Sequence, residues 1–133
     1  MSVIHAELIE GTYGHADEVL LAMDTAGVDT VLAALTQAAQ KGSARLDHGV
    51  TIHQFDIEPG AADIEFGEGT VLWRLDSAKA AEIIEFLTEM HDHPDDSGHY
   101  YVDISKPADM LVLSQNEYPS SLFPPEATFP PPA

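Results

Sequence analysis

Alternating hydrophobic and polar positions predict that the chain begins with a β-hairpin. Ile4, Ala6 and Leu8 alternate with polar residues, and a second alternating stretch follows a glycine-containing turn at positions 11–14. The apolar positions of that second stretch are Val19, Leu21 and Met23. A period of two places one side of a strand against a core, so we expect both stretches to be strands that pair with each other.

Two later stretches have apolar residues at helical spacing. The first is predicted to be capped by Asp24 or Thr25 and to end at Gly42, because short polar side chains satisfy free helix amides and glycine accepts left-handed backbone. The second opens at Ser77 and ends before Pro94, since the residue preceding proline avoids helical geometry. The expected inward faces are Val28, Val31, Leu32, Leu35 and Ala39 in the first helix, and Ala80, Ile83, Ile84, Leu87 and Met90 in the second.

The segment between the helices is predicted to form three strands in a meander. Its first strand changes parity between Ile52 and Phe55, which predicts a bulge. The other two strands, around Ile64 and Trp73, flank residues 67–69 (Gly-Glu-Gly), which predict a tight hairpin. Two more strands are expected at 100–104 and 110–114. Together these elements predict one α+β domain over residues 1–118, with a mainly antiparallel sheet, two helices on one face and no internal repeat.

The composition changes after Tyr118. Residues 119–133 contain six of the nine prolines and show no helical or strand periodicity. We therefore expect a proline-rich C-terminal tail in extended polyproline geometry, either disordered or laid along the surface, with Phe123 and Phe129 as anchors. The functional alternative is a ligand for a proline-recognising groove.

The charge balance restricts the partners of the protein. The 133 residues carry 23 acidic and five basic side chains, a net charge of −18. Five scattered lysines and arginines cannot form a basic stripe, so nucleic acid and anionic membranes are not expected partners. A basic protein partner is expected, although excess charge also serves solubility alone.

The lack of cysteine fits a reducing cytoplasm, and neither a signal sequence nor an apolar run of membrane-spanning length is expected.

One cluster has the chemistry of a metal site. Six potential ligands fall within nine residues: His91, Asp92, His93, Asp95, Asp96 and His99. Zinc or nickel accepts such atoms, but residues two apart on a helix point to different sides. The simpler interpretation is that histidines complement the helix dipole and that aspartates occupy a solvated turn. We accordingly predict no metal site and no cofactor site. No serine has a nucleophile elbow and no phosphate-binding glycine loop is present, so we predict no catalytic residues.

Acidic residues are also candidates for contact with a partner. The set comprises Asp63, Glu65, Glu68, Asp92, Asp95 and Asp96. An acidic surface of this kind would steer a cationic partner, with affinity supplied by apolar anchors. An ordinary amphipathic sheet is the alternative. Trp73 would be an anchor only if it were exposed, and its apolar neighbours favour a core position.

The order of elements from about Thr70 to Tyr118 resembles that of small bacterial immunity proteins, which neutralise polymorphic or contact-dependent toxins. The resemblance covers about a third of the chain and is carried by "TVLWRLD", "GHYYVDIS" and "DMLVLSQNEYP". It implies an α+β, non-enzymatic, cytoplasmic protein that binds a basic toxin. The proline-rich tail departs from that pattern.

The expected function is therefore binding of a cationic toxin by an immunity-type inhibitor through surface complementarity. Two alternatives remain open at this point. One is a metal-binding or hydrolytic domain that uses His91, His93 and His99. The other is a structural or assembly module whose proline-rich tail docks on a neighbour.

Overall fold

Two strands precede the first helix, four strands separate the two helices, and two strands follow the second helix. A computed structural model describes residues 2–11 and 16–117, which form two helices and eight strands. The elements are β1 (Ile4–Ile9), β2 (Glu18–Met23), α1 (Thr25–Lys41), β3 (Ser43–His48), β4 (Thr51–Ile57), β5 (Ala62–Gly67), β6 (Thr70–Leu75), α2 (Ser77–Asp92), β7 (Gly98–Asp103) and β8 (Met110–Gln115).

The strands form two four-stranded sheets. Sheet A has the order β1-β2-β8-β7, and sheet B has the order β3-β4-β6-β5. Every neighbouring pair is antiparallel except the two central pairs, β2 with β8 and β4 with β6, which are parallel. The predicted class, a mainly antiparallel α+β fold, is confirmed. The meander was wrong, because β6 lies between β4 and β5.

Both helices begin and end where the sequence predicted. The Asp24 side chain accepts the amide of Gly27 at 2.7 Å, and the Asp76 side chain accepts the amide of Lys79 at 2.7 Å. Each bond satisfies an amide that has no partner within its helix. Gly42 ends α1 with φ +95°, a left-handed conformation that favours glycine.

The hairpins fix the register of the sheets. The predicted pairing of β1 with β2 and the hairpin between β5 and β6 are both present, while positions 12–15 of the first turn lie outside the described residues. Strand β3 was not predicted from the sequence, and it pairs with β4 in an unbroken register. The predicted bulge is therefore absent. His53 occupies an inward position, in parity with Phe55, and Ile52 faces the other side.

The topology reveals an internal repeat that the sequence analysis missed. Each half of the chain is a unit of two strands, one helix and two strands, and exchanging the halves converts sheet A into sheet B. An offset of 52 residues aligns β2 and α1 with β6 and α2 without a gap, and it matches the two capping residues, Asp24 and Asp76. Because the central strands pair at fixed registers, Leu111 of β8 corresponds to His53 of β4.

The inner faces of both sheets and the two helices share one hydrophobic core. Trp73 lies in it with 2 % of its surface exposed, which confirms the core position and removes Trp73 as a surface anchor. A second, smaller cluster of Leu20, Ala22 and Val112 lies on the other side of sheet A. Among the described residues, neither helix is long and apolar enough to cross a membrane. The predicted tail at 119–133 lies outside the described residues.

Candidate functional site

Three aspartates form what we call the acidic turn: Asp92, the last residue of α2, and Asp95 and Asp96, which follow it. The backbone of this turn is fixed by side chains from the residue after β8 and from the start of α1. The Asn116 amide donates to the carbonyl oxygens of Pro94 and Asp96, at 3.2 and 3.1 Å. The Thr25 hydroxyl donates to the carbonyl of Pro94 at 2.6 Å.

The buried side chain of Gln115 also holds the backbone of the acidic turn. Its side-chain amide donates to the carbonyl oxygens of Met90 and His93, at 3.0 and 3.3 Å. Each of these carbonyl groups also accepts a backbone amide, from His93 to Met90 and from Asp96 to His93, both at 3.1 Å. The turn is consequently held by interactions of its main chain, and all three aspartate side chains remain exposed.

The acidic turn retains its negative charge within the part of the chain that the structure describes. The ion pairs of Arg45, Arg74 and Lys79 are made with carboxylates elsewhere, and none involves the acidic turn. The turn also lies at the C-terminal end of α2, where the helix dipole is itself negative. Carboxylates at this end add to the negative charge of the helix terminus.

The histidines that were considered as metal ligands in the alternative interpretation have separate partners. His91 Nδ1 lies 2.7 Å from a carboxylate oxygen of Asp29 on α1, and His93 Nδ1 lies 3.0 Å from the carbonyl oxygen of Glu89. His99 is on β7, with Nδ1 2.8 Å from Glu117. Across residues 2–11 and 16–117, no group of three or more His, Asp or Glu side chains converges as a metal site would require.

Two of these histidines are electrostatically coupled to nearby acidic groups. The hydrogen bond to Asp29, assisted by its charge, raises the pKa of His91 above its ordinary value. The hydrogen bond to the Glu89 carbonyl, assisted by nearby carboxylates, raises the pKa of His93. Both imidazoles therefore protonate more readily than free histidine, and the net charge around the acidic turn becomes less negative as the pH falls.

A hydrogen-bonded chain runs across the outer face of β7 and β8. Glu117 accepts the Ser114 hydroxyl at 2.7 Å and contacts His99, while the other ring nitrogen of His99 lies 3.1 Å from the Tyr101 hydroxyl. Burial opposes ionisation of Glu117, but the bonds from His99 and Ser114 lower its pKa below the ordinary value. No lysine or arginine takes part in this chain of described residues.

The other predicted acidic residues lie on sheet B. Asp63 and Glu65 flank Arg74 on the outer face, at 2.7 and 2.8 Å, so an internal cation already offsets their charge. Glu68 is exposed at the tip of the hairpin between β5 and β6. The acidic turn lies at the other end of α2 from Asp76, about 24 Å away for a 16-residue helix. Asp63 pairs with Arg74 next to the start of α2 and is therefore distant from the acidic turn.

The sequence analysis overlooked one buried polar residue, His53. It is 1 % exposed, lies beside the rings of Phe55 and Trp73, and accepts a hydrogen bond from the Trp73 indole at 3.2 Å on Nδ1. Its Nε2 is buried without a partner among the described residues. Burial, aided by the charges of His48 and His5, lowers the pKa of His53 to about 4. The only sequence signal was that His53 has the same strand parity as the apolar residue Phe55.

Comparisons with protein-family models, with curated proteins and with solved structures find no match to this chain.

Proposed function

We propose that this protein binds a cationic protein through the acidic turn and acts as an immunity-type inhibitor rather than as an enzyme. The observation that carries the proposal is the arrangement of Asp92, Asp95 and Asp96: three exposed carboxylates on a fixed turn, with no lysine or arginine paired to them among the described residues. Complementary charge of this kind raises association rates and selects for a basic partner.

The energetics of the turn support a binding role. A carboxylate at the negative end of a helix destabilises the fold by about 0.3–1 kcal/mol. Asp92, in the last turn of α2, therefore opposes stability, and a neutral residue there would serve the fold better. A residue that costs stability in this way is consistent with use of the surface for function.

The fixed backbone supports the same conclusion. Because Gln115, Asn116 and Thr25 hold the carbonyl groups of the turn, little backbone entropy is lost when a partner docks. Sheet B contributes less to the proposed surface, since Arg74 neutralises part of its charge. We therefore assign the main electrostatic role to the acidic turn and a secondary role to Asp63, Glu65 and Glu68.

A comparison of three immobilised proteins tests this proposal: the unaltered chain, a variant with Asp92, Asp95 and Asp96 replaced by asparagine, and a control. The control carries Glu10→Gln, Asp103→Asn and Asp109→Asn, three exposed positions at the other end of sheet A. Both variants lose the same charge.

We expect a basic protein from the native host to bind the unaltered chain and the control at about 50 mM salt, and to be lost from the acidic-turn variant. Mass spectrometry identifies the bound protein. Equal loss of the bound protein from both variants would show that only net charge matters. Retention of the bound protein by the acidic-turn variant would show that the turn is not part of the interface. Either result would overturn the proposal.

A further inference from the structure

The centre of the outer face of sheet A, on β2 and β8, is buried although it lies opposite the core. Its central side chains are Leu20, Ala22, Val112 and Ser114, which are 7, 1, 8 and 1 % exposed. They alternate along β2 and β8 with the residues that face the helices, such as Val19, Leu21, Leu111 and Leu113. In the described residues, the apolar side chains that pack against this cluster are Ile9 and Met110, both from the strands of sheet A itself.

The internal repeat provides a comparison for this face. Through the repeat, the central outer positions of sheet A correspond to Leu72, Arg74, Gln54 and Asp56 of sheet B. Those four residues are each partly exposed, and three of them are polar or charged. The two sheets have the same topology but differ in the character of their outer faces. The polar outer face of sheet B suits contact with water, whereas the mainly apolar centre of the outer face of sheet A suits contact with other protein groups.

The chain leaves the described region at the rim of this face. Glu117, the last described residue, is bonded to His99 and Ser114, which are directly paired across β7 and β8 and share the outer side of sheet A. Sixteen residues, 118–133, follow. In extended polyproline geometry sixteen residues reach about 50 Å, whereas a four-stranded sheet is about 15–20 Å wide.

We propose that the outer face of sheet A is the docking site for the chain's own C-terminal segment, residues 118–133. The segment contains apolar groups for the cluster, Leu122, Phe123 and Phe129, and its six prolines lack amide donors, so side-chain packing rather than strand addition suits it. A tethered segment also acts at a local concentration in the millimolar range, which favours it over a second copy or another protein.

The absence of cysteine allows a direct test in the full-length chain. Single cysteines are introduced at Val112, at its counterpart Gln54 on sheet B, and at Ala38 in the core of α1. Their reaction rates with a thiol reagent are then measured with and without the paired replacements Phe123→Ser and Phe129→Ser.

The proposal predicts that Val112→Cys reacts at least about tenfold more slowly than Gln54→Cys, and that replacing both phenylalanines brings the two rates together. Ala38→Cys should stay protected, which shows that the core is intact. Rapid reaction of Val112→Cys in the parent chain would overturn the proposal, because the face would be open. Slow reaction that is indifferent to the phenylalanine replacements would also overturn it, because something else would cover the face.

A second measurement avoids any weakened variant. Cysteine pairs join Ser121 either to Tyr101, on the outer side of sheet A, or to Arg45, on the outer side of sheet B. Under mild oxidation the pair with Tyr101→Cys should form its intramolecular disulfide at least about tenfold faster. Equal rates for the two pairs, or disulfides formed only between molecules, would contradict docking of the segment on its own chain.

Discussion

Replacing His53 with asparagine should remove a pH-dependent loss of stability from the protein. The neutral imidazole accepts the Trp73 indole N–H on Nδ1, so its own proton is on Nε2, which is buried and unpaired among the described residues. A second proton would place a charge in an apolar core next to Phe55. Asparagine keeps an acceptor for Trp73 and cannot become charged.

The size of this pH-dependent loss of stability follows from the pKa of His53. Burial lowers the pKa of His53 from 6.5 to about 4, and each unit corresponds to about 1.4 kcal/mol, which gives about 3 kcal/mol in total. Because the folded pKa is the lower one, the unfolded chain binds the proton first as the pH falls. The contribution of neutral His53 to the free energy of unfolding is fully present above pH 6.5. It is smaller by about 2 kcal/mol at pH 5 and is fully lost below pH 4.

Urea unfolding followed by circular dichroism at pH 7, 5 and 4 measures this effect. The quantity of interest is the difference in pH dependence between the parent and His53→Asn, since the carboxylates contribute equally to both and cancel. His93→Asn is the matched control, because that imidazole is exposed and its pKa is shifted upward. If the parent and His53→Asn lose the same free energy between pH 7 and pH 4, the burial argument is refuted.

Three further results are expected from the helix ends. Asp24→Ala should lower the free energy of unfolding by more than the ~1 kcal/mol typical of a helix cap, and by more than Asp76→Ala, because Asp24 also accepts the amide of Val3 at 2.9 Å; equal losses in urea titrations would contradict this. Gly27→Ala should destabilise by about 1–3 kcal/mol despite the higher helix propensity of alanine, since a Cβ there would overlap the Val3 carbonyl oxygen; a rise in melting temperature would show that the strand yields. Asp29→Asn should lower the pKa of His91 in an NMR titration, because the hydrogen bond to that carboxylate is the main cause of its elevation; an unchanged titration would assign the elevation to another group.

The features that the sequence predicted correctly depend on local interactions. Helix caps, the glycine at the end of α1 and the Glu68-Gly69 hairpin act within a few residues of chain, so they can be identified without knowledge of the fold. The class of the fold follows from the same periodicities. Asp92, Asp95 and Asp96 were placed in a solvated turn for the same reason, and they are exposed there.

The features that were missed are not specified by the pattern within a single element. Strand β3 contributes Ala44 and Leu46 as its apolar positions, a weak alternation that becomes a strand because β4 pairs with it. The parallel pairing of β4 with β6 requires a crossover that no local pattern specifies. The repeat was missed because most of its paired positions match in burial rather than in residue type, as Val31 and Ile83 do.

The anchoring of the acidic turn was also beyond local analysis. Gln115 and Asn116 lie more than 15 residues along the chain from the carbonyl groups that they bind, and their role is visible only when β8 is placed beside α2.

The central claim, that the acidic turn steers a cationic partner, is tested most directly by the association rate measured against salt. The captured partner is mixed by stopped flow with the parent, the acidic-turn variant and the control carrying Glu10→Gln, Asp103→Asn and Asp109→Asn. Salt is varied between about 50 and 500 mM, over which the Debye length falls about threefold.

We expect the replacement of Asp92, Asp95 and Asp96 to slow association by about tenfold at low salt and to flatten its salt dependence, with a smaller change in dissociation. The control should resemble the parent. An association rate that is indifferent both to these three replacements and to salt would contradict the account, and the charge of the turn would then serve solubility alone.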